Sequence, residues 1–332
     1  MDRGDQMDTA PTRTHSAGND HATTHPSAPL PEVGPPVAHG PRVPLGRTGL
    51  QVFPFALGTA GFGRIDSRAA TAILDRYAES GGNAVHVTDR DADVLDLVGG
   101  WIHSRGVRDD ILLSVRVGAP RRTRTGEERL AAGFARVLGG LRAERVDVLT
   151  LDTAAQGHDA TRLEHALAAA EPLVASDAVR SVGAYGLDAT QLLEARVLAS
   201  GGYPRIDVFE TPYGLGDRAG FEGDLRRVVV PQRVAVMPVD AIPLSLLAHV
   251  PRPARAGIPR FRGRLMRALD AVSREAGLTA AATALAWVRA QRGVVAPVVD
   301  VLAVHHIDDL APAATAELTS AQAARLDRIG SR

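Results

Sequence analysis

From about residue 42 onward, short β-branched apolar runs alternate with longer segments whose apolar residues recur at helical spacing. The runs read VFPFALG, AVHVTD, ILLSVRV, VDVLTLD, VRSVGAY, IDVFET, RVAVMPVD and VVAPVVD, and helical spacing is clear at Ile73, Leu74 and Tyr77. Strands that alternate with helices in this way pair in parallel. Eight such units over about 250 residues predict a single closed (β/α)8 TIM barrel, an α/β fold. An open doubly wound sheet is the alternative, although no GxGxxG follows the first strand.

The N-terminal 41 residues differ in composition from the rest of the chain. They are rich in Pro, Ser, Thr, Asp and His and carry almost no large apolar side chains. A segment of this kind cannot bury enough surface to offset the entropy lost on ordering. We therefore expect a disordered tail over residues 1–41 and one barrel domain over residues 42–332.

The charge balance and two missing residue types narrow the function. Basic and acidic residues number 38 each, so no nucleic-acid or anionic-membrane partner is indicated. The chain has no cysteine, which excludes thiolate nucleophiles and Cys-zinc sites, and no lysine, which excludes Schiff-base chemistry. Because no apolar run approaches membrane length and no secretory signal begins the sequence, we expect a cytoplasmic protein.

Polar residues concentrate where the predicted strands end. Active sites of such barrels form at the carboxyl ends of the strands, so these residues are the candidates for a site. The polar side chains at or just beyond these strand ends are His86, Asp91, Arg116, Asp152, Tyr185, Glu210, Asp240 and Asp300. The pattern predicts a polar, mostly acidic barrel mouth that receives a small molecule, and it leaves the oligomeric state open.

Several segments together resemble the aldo-keto reductase family. PLGRTGLQVFPFALGTAGFG resembles its N-terminal β-hairpin and first strand, and RGVRDDILLSVRVG resembles the region of its third strand. LGGLRAERVDVLTL, ALAWVRAQRGVVAPVV and LTSAQAARLDRI resemble the fourth-strand region, the approach to the eighth strand and the closing helix. The resemblance runs from about Arg42 to Ile329 and implies a barrel preceded by a hairpin.

The family resemblance also implies a catalytic tetrad, which this chain does not retain. Members of the family reduce carbonyl groups with NADPH by means of an Asp, a Tyr that acts as general acid, a Lys and a His. In this sequence the four positions fall on His86, Asp91, Arg116 and Asp152. An aspartate is normally too acidic to donate a proton at neutral pH, and Asp152 would place negative charge where the reaction itself builds negative charge.

The positions that hold the cofactor in the family are substituted as well. Tyr185, Gly186 and Glu210 stand where the family binds the nicotinamide amide, and Asp300 and Leu302 stand where it binds the adenosine phosphate. An acidic side chain at the phosphate position would repel the phosphate. We therefore expect that the chain has no intact dinucleotide site and uses no cofactor.

The leading hypothesis is that the chain has lost NADPH-dependent reduction and performs cofactor-independent acid–base catalysis. Two carboxyl groups in one cavity push each other's pKa values apart, so that Asp91 and Asp152 could act as acid and base. Glu210 would assist them, His86 would relay protons and Arg116 would anchor an anion. Isomerisation, dehydration or ring closure of a small carbonyl compound, as in a specialised biosynthetic pathway, would suit such a site.

Three alternatives stay open at this point. The acidic mouth could bind a cationic ligand without catalysis, as in a regulatory pseudoenzyme. His86, Asp152 and Glu210 could hold a divalent metal, although no tight ligand spacing supports this and no metal site is predicted. The protein could instead be an atypical NAD(P)H-dependent oxidoreductase that uses Tyr185 or Tyr213 as its acid.

Overall fold

The computed structural model describes residues 37–118, 126–154, 160–247 and 260–330. Most of the predicted tail lies outside these residues. The strands are β1 (Val43–Pro44), β2 (Gln51–Val52), β3 (Ala56–Gly58), β4 (Ala84–Thr88), β5 (Leu112–Gly118), β6 (Val146–Asp152), β7 (Val179–Tyr185), β8 (Ile206–Pro212), β9 (Ala235–Val239) and β10 (Val298–Asp300).

The helices lie mostly between consecutive strands of the large sheet. They are α1 (Ser67–Glu79), α2 (Ala92–Arg105), α3 (Gly126–Leu141), α4 (Ala160–Ala175), α5 (Ala189–Ser200), α6 (Ala219–Glu222), α7 (Asp224–Gln232), α8 (Arg260–Ala276), α9 (Ala280–Arg289), α10 (Val304–Leu310) and α11 (Ser320–Gly330). Local sequence signals set some of their ends: Asp188 and Gln191 form a capping box at the start of α5. No helix in the described part of the chain is both long and apolar enough to span a bilayer.

Eight parallel strands form a nearly closed barrel in the order β10, β3, β4, β5, β6, β7, β8, β9. The ring closes through a parallel bridge between Val236 of β9 and Val294, just before β10. Each of the eight apolar runs in the sequence contributes one of these strands, so the predicted (β/α)8 TIM barrel is confirmed.

The short antiparallel hairpin β1–β2 closes the amino-terminal end of the barrel. Its pairing places Val43 opposite Val52, and the side chains of Leu45 and Val52 are completely buried. Both pack in the cluster that fills the barrel interior, together with inward-facing residues such as Ala84 and Val148. With this end plugged by apolar side chains, any ligand must enter from the carboxyl ends of the strands.

Candidate active site

The interior of the barrel changes from apolar to polar along the strands. Because side chains two residues apart on a strand share a face, the residues after the apolar layer also point inward. On β4 the buried Ala84 is followed by His86, and on β8 the buried Val208 is followed by Glu210. On β6 the same spacing leads from Val148 to Thr150. A buried polar layer therefore lies directly below the barrel mouth.

Glu210 is the anionic centre of this layer. Its side chain is completely buried, with Oε2 3.2 Å from His86 Nε2 and 3.4 Å from Arg116 Nη1. Thr150 Oγ1 donates a hydrogen bond to Oε1 at 2.6 Å. Burial by itself would raise the pKa of Glu210, but the charges of His86 and Arg116 and the hydrogen bonds from His86 and Thr150 outweigh it and lower this pKa. The group is therefore a carboxylate.

Arg116 connects this buried carboxylate to the mouth of the barrel. Its guanidinium carbon lies 4.4 Å from the centre of the Tyr185 ring, within the range of a cation–π contact. Both side chains are half-buried, and Arg116 Nη1 is a buried nitrogen without a hydrogen-bond partner. Arg116 thus carries its positive charge between an anion below and an aromatic phenol above.

Asp91 and Asp152 have separate environments and do not bond to each other. Asp91 caps helix α2, where its carboxylate accepts hydrogen bonds from the N–H groups of Asp93 and Val94. The carboxylate of Asp152 lies 3.3 Å from Arg90 Nη2 and accepts a hydrogen bond from the N–H of Ala154. None of these contacts joins Asp91 to Asp152, so the structure does not show the coupled acid–base pair that the sequence suggested.

Asp300, at the end of β10, lines a cavity of about 450 Å³ at the mouth. Its Oδ1 accepts a hydrogen bond from the N–H of Ala60 at 3.2 Å. A Cβ atom at Gly58 would come within 2.3 Å of the same oxygen, so glycine is needed there to admit this carboxylate. Burial raises the pKa of Asp300, the negative charge of Asp240 adds to this, and the Ala60 hydrogen bond and the charges of His86 and Arg116 oppose it.

Six of the eight candidate residues divide into two groups by their contacts. The structure brings together His86, Arg116, Glu210 and Tyr185, and it places Asp91 and Asp152 apart from them. Sequence reasoning missed Thr150, whose signal was its position two residues after the inward-facing Val148 of β6.

The structure corrects one assignment and gives no support to another. Tyr213 is not at the mouth: it is buried, its ring packs against Phe221 and Trp287, and its hydroxyl donates to Glu222 at 2.8 Å. Burial also raises its pKa, so its use as an acid at the mouth is wrong. Within the described ranges no group of three His, Asp or Glu side chains could hold a metal ion, which argues against the alternative metal site.

Comparison with known proteins provides independent information on the family. The family model for the aldo/keto reductase family matches residues 54–331. Norsolorinic acid reductase stcV of Emericella nidulans is 26% identical over 286 residues, which cover 78% of this chain and 73% of that protein. The crystal structure of an aldo/keto reductase from Klebsiella pneumoniae in complex with NADP and acetate has a TM-score of 0.69 and 24% identity, and the match covers 86% of this chain and 93% of that one. A second structure, of an aldo-keto reductase from Klebsiella pneumoniae with NADPH, has the same values.

These relatives overturn the functional hypothesis drawn from the substituted tetrad. A curated relative is named as a reductase and the aldo/keto reductase model matches residues 54–331, so the expectation of lost reduction and cofactor-independent acid–base catalysis is wrong. Substitution at four positions still leaves a phenol and a cation in contact at the mouth, at Tyr185 and Arg116. With eight strands in the expected order and a family model that spans almost all of the barrel, the chain belongs to the aldo/keto reductase family.

Proposed function

We propose that this protein is an NAD(P)H-dependent oxidoreductase that reduces the carbonyl group of a small molecule at the barrel mouth, with Tyr185 as proton donor. Family membership and a curated relative named as a reductase support the reaction class. The observation that carries the proposal is the position of the Arg116 guanidinium, 4.4 Å from the centre of the Tyr185 ring. A phenol can donate a proton to a carbonyl oxygen, and a fixed cation beside it can stabilise the negative charge that develops.

Each residue around Tyr185 has a distinct part in the proton transfer. The Tyr185 hydroxyl would give its proton to the carbonyl oxygen, and the phenolate left behind would recover a proton from water. Arg116 would stabilise the phenolate, because its positive charge is already in place beside the ring. Glu210 would act as a positioning residue, since its carboxylate contacts both Arg116 and His86. Holding these groups before substrate arrives avoids the cost of orienting them during the reaction.

Asp91 and Asp152 would contribute indirectly. Asp91 would fix the start of helix α2 and therefore the loop after β4, and Asp152 would hold Arg90 at the rim. In this proposal the site has a buried layer of charged side chains below the barrel mouth and a second set of charged side chains at its rim. Protein atoms alone supply the proton; the hydride needs a cofactor.

The sequence alone led us to expect no cofactor. The cavity next to Asp300, however, has hydrogen-bond donors and acceptors that fit the polar part of a nicotinamide nucleotide. Its volume of about 450 Å³ is typical of small-molecule sites. Arg64 offers a cation for phosphate, and the carboxylates of Asp240 and Asp300 can accept hydrogen bonds from ribose hydroxyl groups. When bound, such a cofactor would supply the hydride that the carbonyl carbon receives.

The test separates cofactor binding from proton transfer. NADH and NADPH are first titrated into the protein by calorimetry, and reduction of benzaldehyde and 2-acetylnaphthalene is then followed by loss of the cofactor's absorbance. Tyr185→Phe should bind the cofactor as the wild type does and should lose reduction by about 100-fold or more, the usual scale for a general acid.

Tyr203→Phe is the matched control for this substitution. The Tyr203 hydroxyl donates to Glu164 at 2.7 Å, on a different face from the mouth, so this variant should reduce both compounds at the wild-type rate. The proposed function is refuted if neither NADH nor NADPH binds, or if Tyr185→Phe keeps full activity.

A further inference from the structure

Asp300 is a partly buried carboxyl group whose surroundings differ from those of Glu210. The parallel pairing of β10 with β3 places Asp300 beside Gly58, and the pairing of β3 with β4 places Gly58 beside His86. Because glycine has no side chain, the carboxyl group of Asp300 lies across β3, in the space that a Cβ atom at Gly58 would occupy. Asp300 therefore borders both the buried polar layer and the cavity of about 450 Å³ proposed for the dinucleotide.

The two cations of the buried layer are already paired with the other carboxylate. Glu210 Oε2 lies 3.2 Å from His86 Nε2 and 3.4 Å from Arg116 Nη1. Among the described residues, these two cations act on Asp300 through their charge alone, without an ion pair. The Oδ1 atom of Asp300 accepts the N–H of Ala60 at 3.2 Å, so Oδ2 is the oxygen on which a proton can reside.

The other charged groups around the cavity do not neutralise Asp300. Burial is the main cause that raises the pKa of Asp300, and the negative charge of Asp240, in the same cavity wall, acts in the same direction. Arg64 also lines the cavity, but its side chain is exposed and water screens its charge. In helix α10, His306 accepts a backbone N–H through Nδ1, and the ring of His305 packs against it. The phosphate groups of a dinucleotide would thus bring further negative charge to a cavity that already has two carboxyl groups.

We propose that Asp300 holds the dinucleotide as a neutral carboxyl group, and that each binding event takes up one proton from solvent onto Oδ2. The inference rests on the proposed function and adds to it the protonation state in which the site binds its cofactor. Protonation removes the repulsion between carboxylate and phosphate, and it turns Oδ2 from an acceptor into a hydrogen-bond donor. By linkage, affinity is highest below the pKa of Asp300 in the free protein and falls as the pH rises from there to its pKa in the complex.

Calorimetric titration with NADH at a series of pH values, each in buffers of different ionisation enthalpy, measures this proton uptake directly. NADH is the first ligand because it lacks the 2′-phosphate of NADPH, which itself titrates near neutral pH. Wild type should take up about one proton per NADH in the pH range where affinity is falling, and affinity there should drop by up to about tenfold per pH unit. If only NADPH binds, the difference between wild type and Asp300→Asn gives the same quantity, since the 2′-phosphate titrates with both proteins.

Asp300→Asn is the decisive variant because its amide has the shape of a neutral carboxyl group. Its oxygen can accept the N–H of Ala60, and its nitrogen can donate where a protonated Oδ2 would. This variant should bind NADH at neutral pH at least as tightly as wild type, lose the proton uptake and keep its affinity as the pH rises. Asp224→Asn is the matched control: Asp224 is 79% exposed and pairs with Arg227 at 3.0 Å on α7, so proton uptake should stay as in wild type. Should Asp300→Asn not fold, Asp300→Ala takes its place, with the same loss of proton uptake expected.

The outcomes separate this inference from the proposed function. Proton uptake that persists unchanged in Asp300→Asn would overturn the inference, because another group, such as His86, would then carry the proton. Binding of NADH or NADPH to the wild type without proton uptake at any pH would also overturn it and would leave the reductase proposal standing. If neither dinucleotide binds, the function itself is refuted and the inference falls with it.

Discussion

Replacing Glu210 by glutamine tests whether the barrel depends on a buried anion. The substitution keeps the size of the side chain and removes its charge, so the hydrogen bond from Thr150 can persist. The charged contacts to His86 and Arg116, at 3.2 and 3.4 Å, lose their electrostatic part. Arg116 then remains half-buried with no anion below it.

The magnitude follows from these contacts. A hydrogen bond to a charged group contributes about 1.5–3 kcal/mol to stability and a neutral one about 0.5–1.5 kcal/mol, so the hydrogen bond between His86 and Glu210 loses about 1 kcal/mol, and the ion pair with Arg116 is lost in addition. Removing one partner of a buried ion pair costs about 3–5 kcal/mol, and glutamine should fall at the low end because it needs no desolvation of a carboxylate. We expect the free energy of unfolding to fall by about 3 kcal/mol, or roughly 6–9 °C in Tm.

Urea denaturation at neutral and acidic pH checks this value. The folded-state pKa of Glu210 is lowered, so its stabilisation is present above the unfolded-state pKa and is lost as the pH falls through the folded-state pKa. The difference between wild type and Glu210→Gln should therefore be largest at neutral pH and should shrink on acidification.

Asp207→Asn, also on strand β8, is the control. Burial raises the pKa of Asp207 although the charges of Arg205 and Arg47 oppose this, so its negative charge, unlike that of Glu210, does not stabilise the folded protein. Its amide should leave stability unchanged or raise it slightly at neutral pH. A loss of less than about 0.5 kcal/mol in Glu210→Gln, the range of ordinary surface substitutions, would refute the assignment of Glu210 as a structural anion.

Further predictions concern two adjacent glycines and the carboxyl group at the mouth. Gly99→Ala should destabilise by about 2–3 kcal/mol in urea denaturation, because its Cβ would lie 2.2 Å from the backbone oxygen of Gly140. Gly100→Ala, one position along, should stabilise by about 0.5–1 kcal/mol, since it removes a helical glycine where there is room; the same sign for both would contradict this reasoning. Asp300→Asn should be more stable than wild type at neutral pH in thermal unfolding, because a raised folded-state pKa makes stability fall as the pH rises through it. The two proteins should converge at acidic pH, and a constant difference would count against the buried-carboxyl account.

Much of the fold was predictable from the sequence because parallel barrel strands are buried on both faces. Their β-branched runs therefore stand out from the helices between them, and all eight were identified. Most of the predicted tail lies outside the described residues, although residues 37–41 lie within them. The glycine pair Gly99–Gly100 in helix α2 is unfavourable by helix propensity alone. Its reason is tertiary, since Gly99 lets α2 approach α3 and nothing local indicates that contact.

The site was harder to predict because strand position gives a side chain's layer but not its partners. Asp91 was placed correctly after β4, yet two backbone N–H groups of α2 bind its carboxylate. Tyr213 follows the end of β8 by one residue, and this single step turns its ring away from the mouth onto Trp287. Thr150 was overlooked because a threonine in a strand is ordinary until a buried carboxylate lies opposite it.

The error in the functional hypothesis came from judging each substituted position alone. Taken singly, Arg116 lacks the tyrosine it would serve, because Asp91 stands at that position, and Glu210 is a buried charge that costs free energy. Taken together, the carboxylate of Glu210 neutralises the guanidinium of Arg116, and this guanidinium lies against the ring of Tyr185. The buried polar atoms of this layer have hydrogen-bond partners except for Arg116 Nη1 and the hydroxyl of Ser114. Buried charges persist only when their partners are present at the same time, so the substitutions at these positions are energetically coupled. Departures from a family's residues therefore have to be judged by which groups meet in space, and here the groups that meet are a phenol, a cation and the anion that holds it.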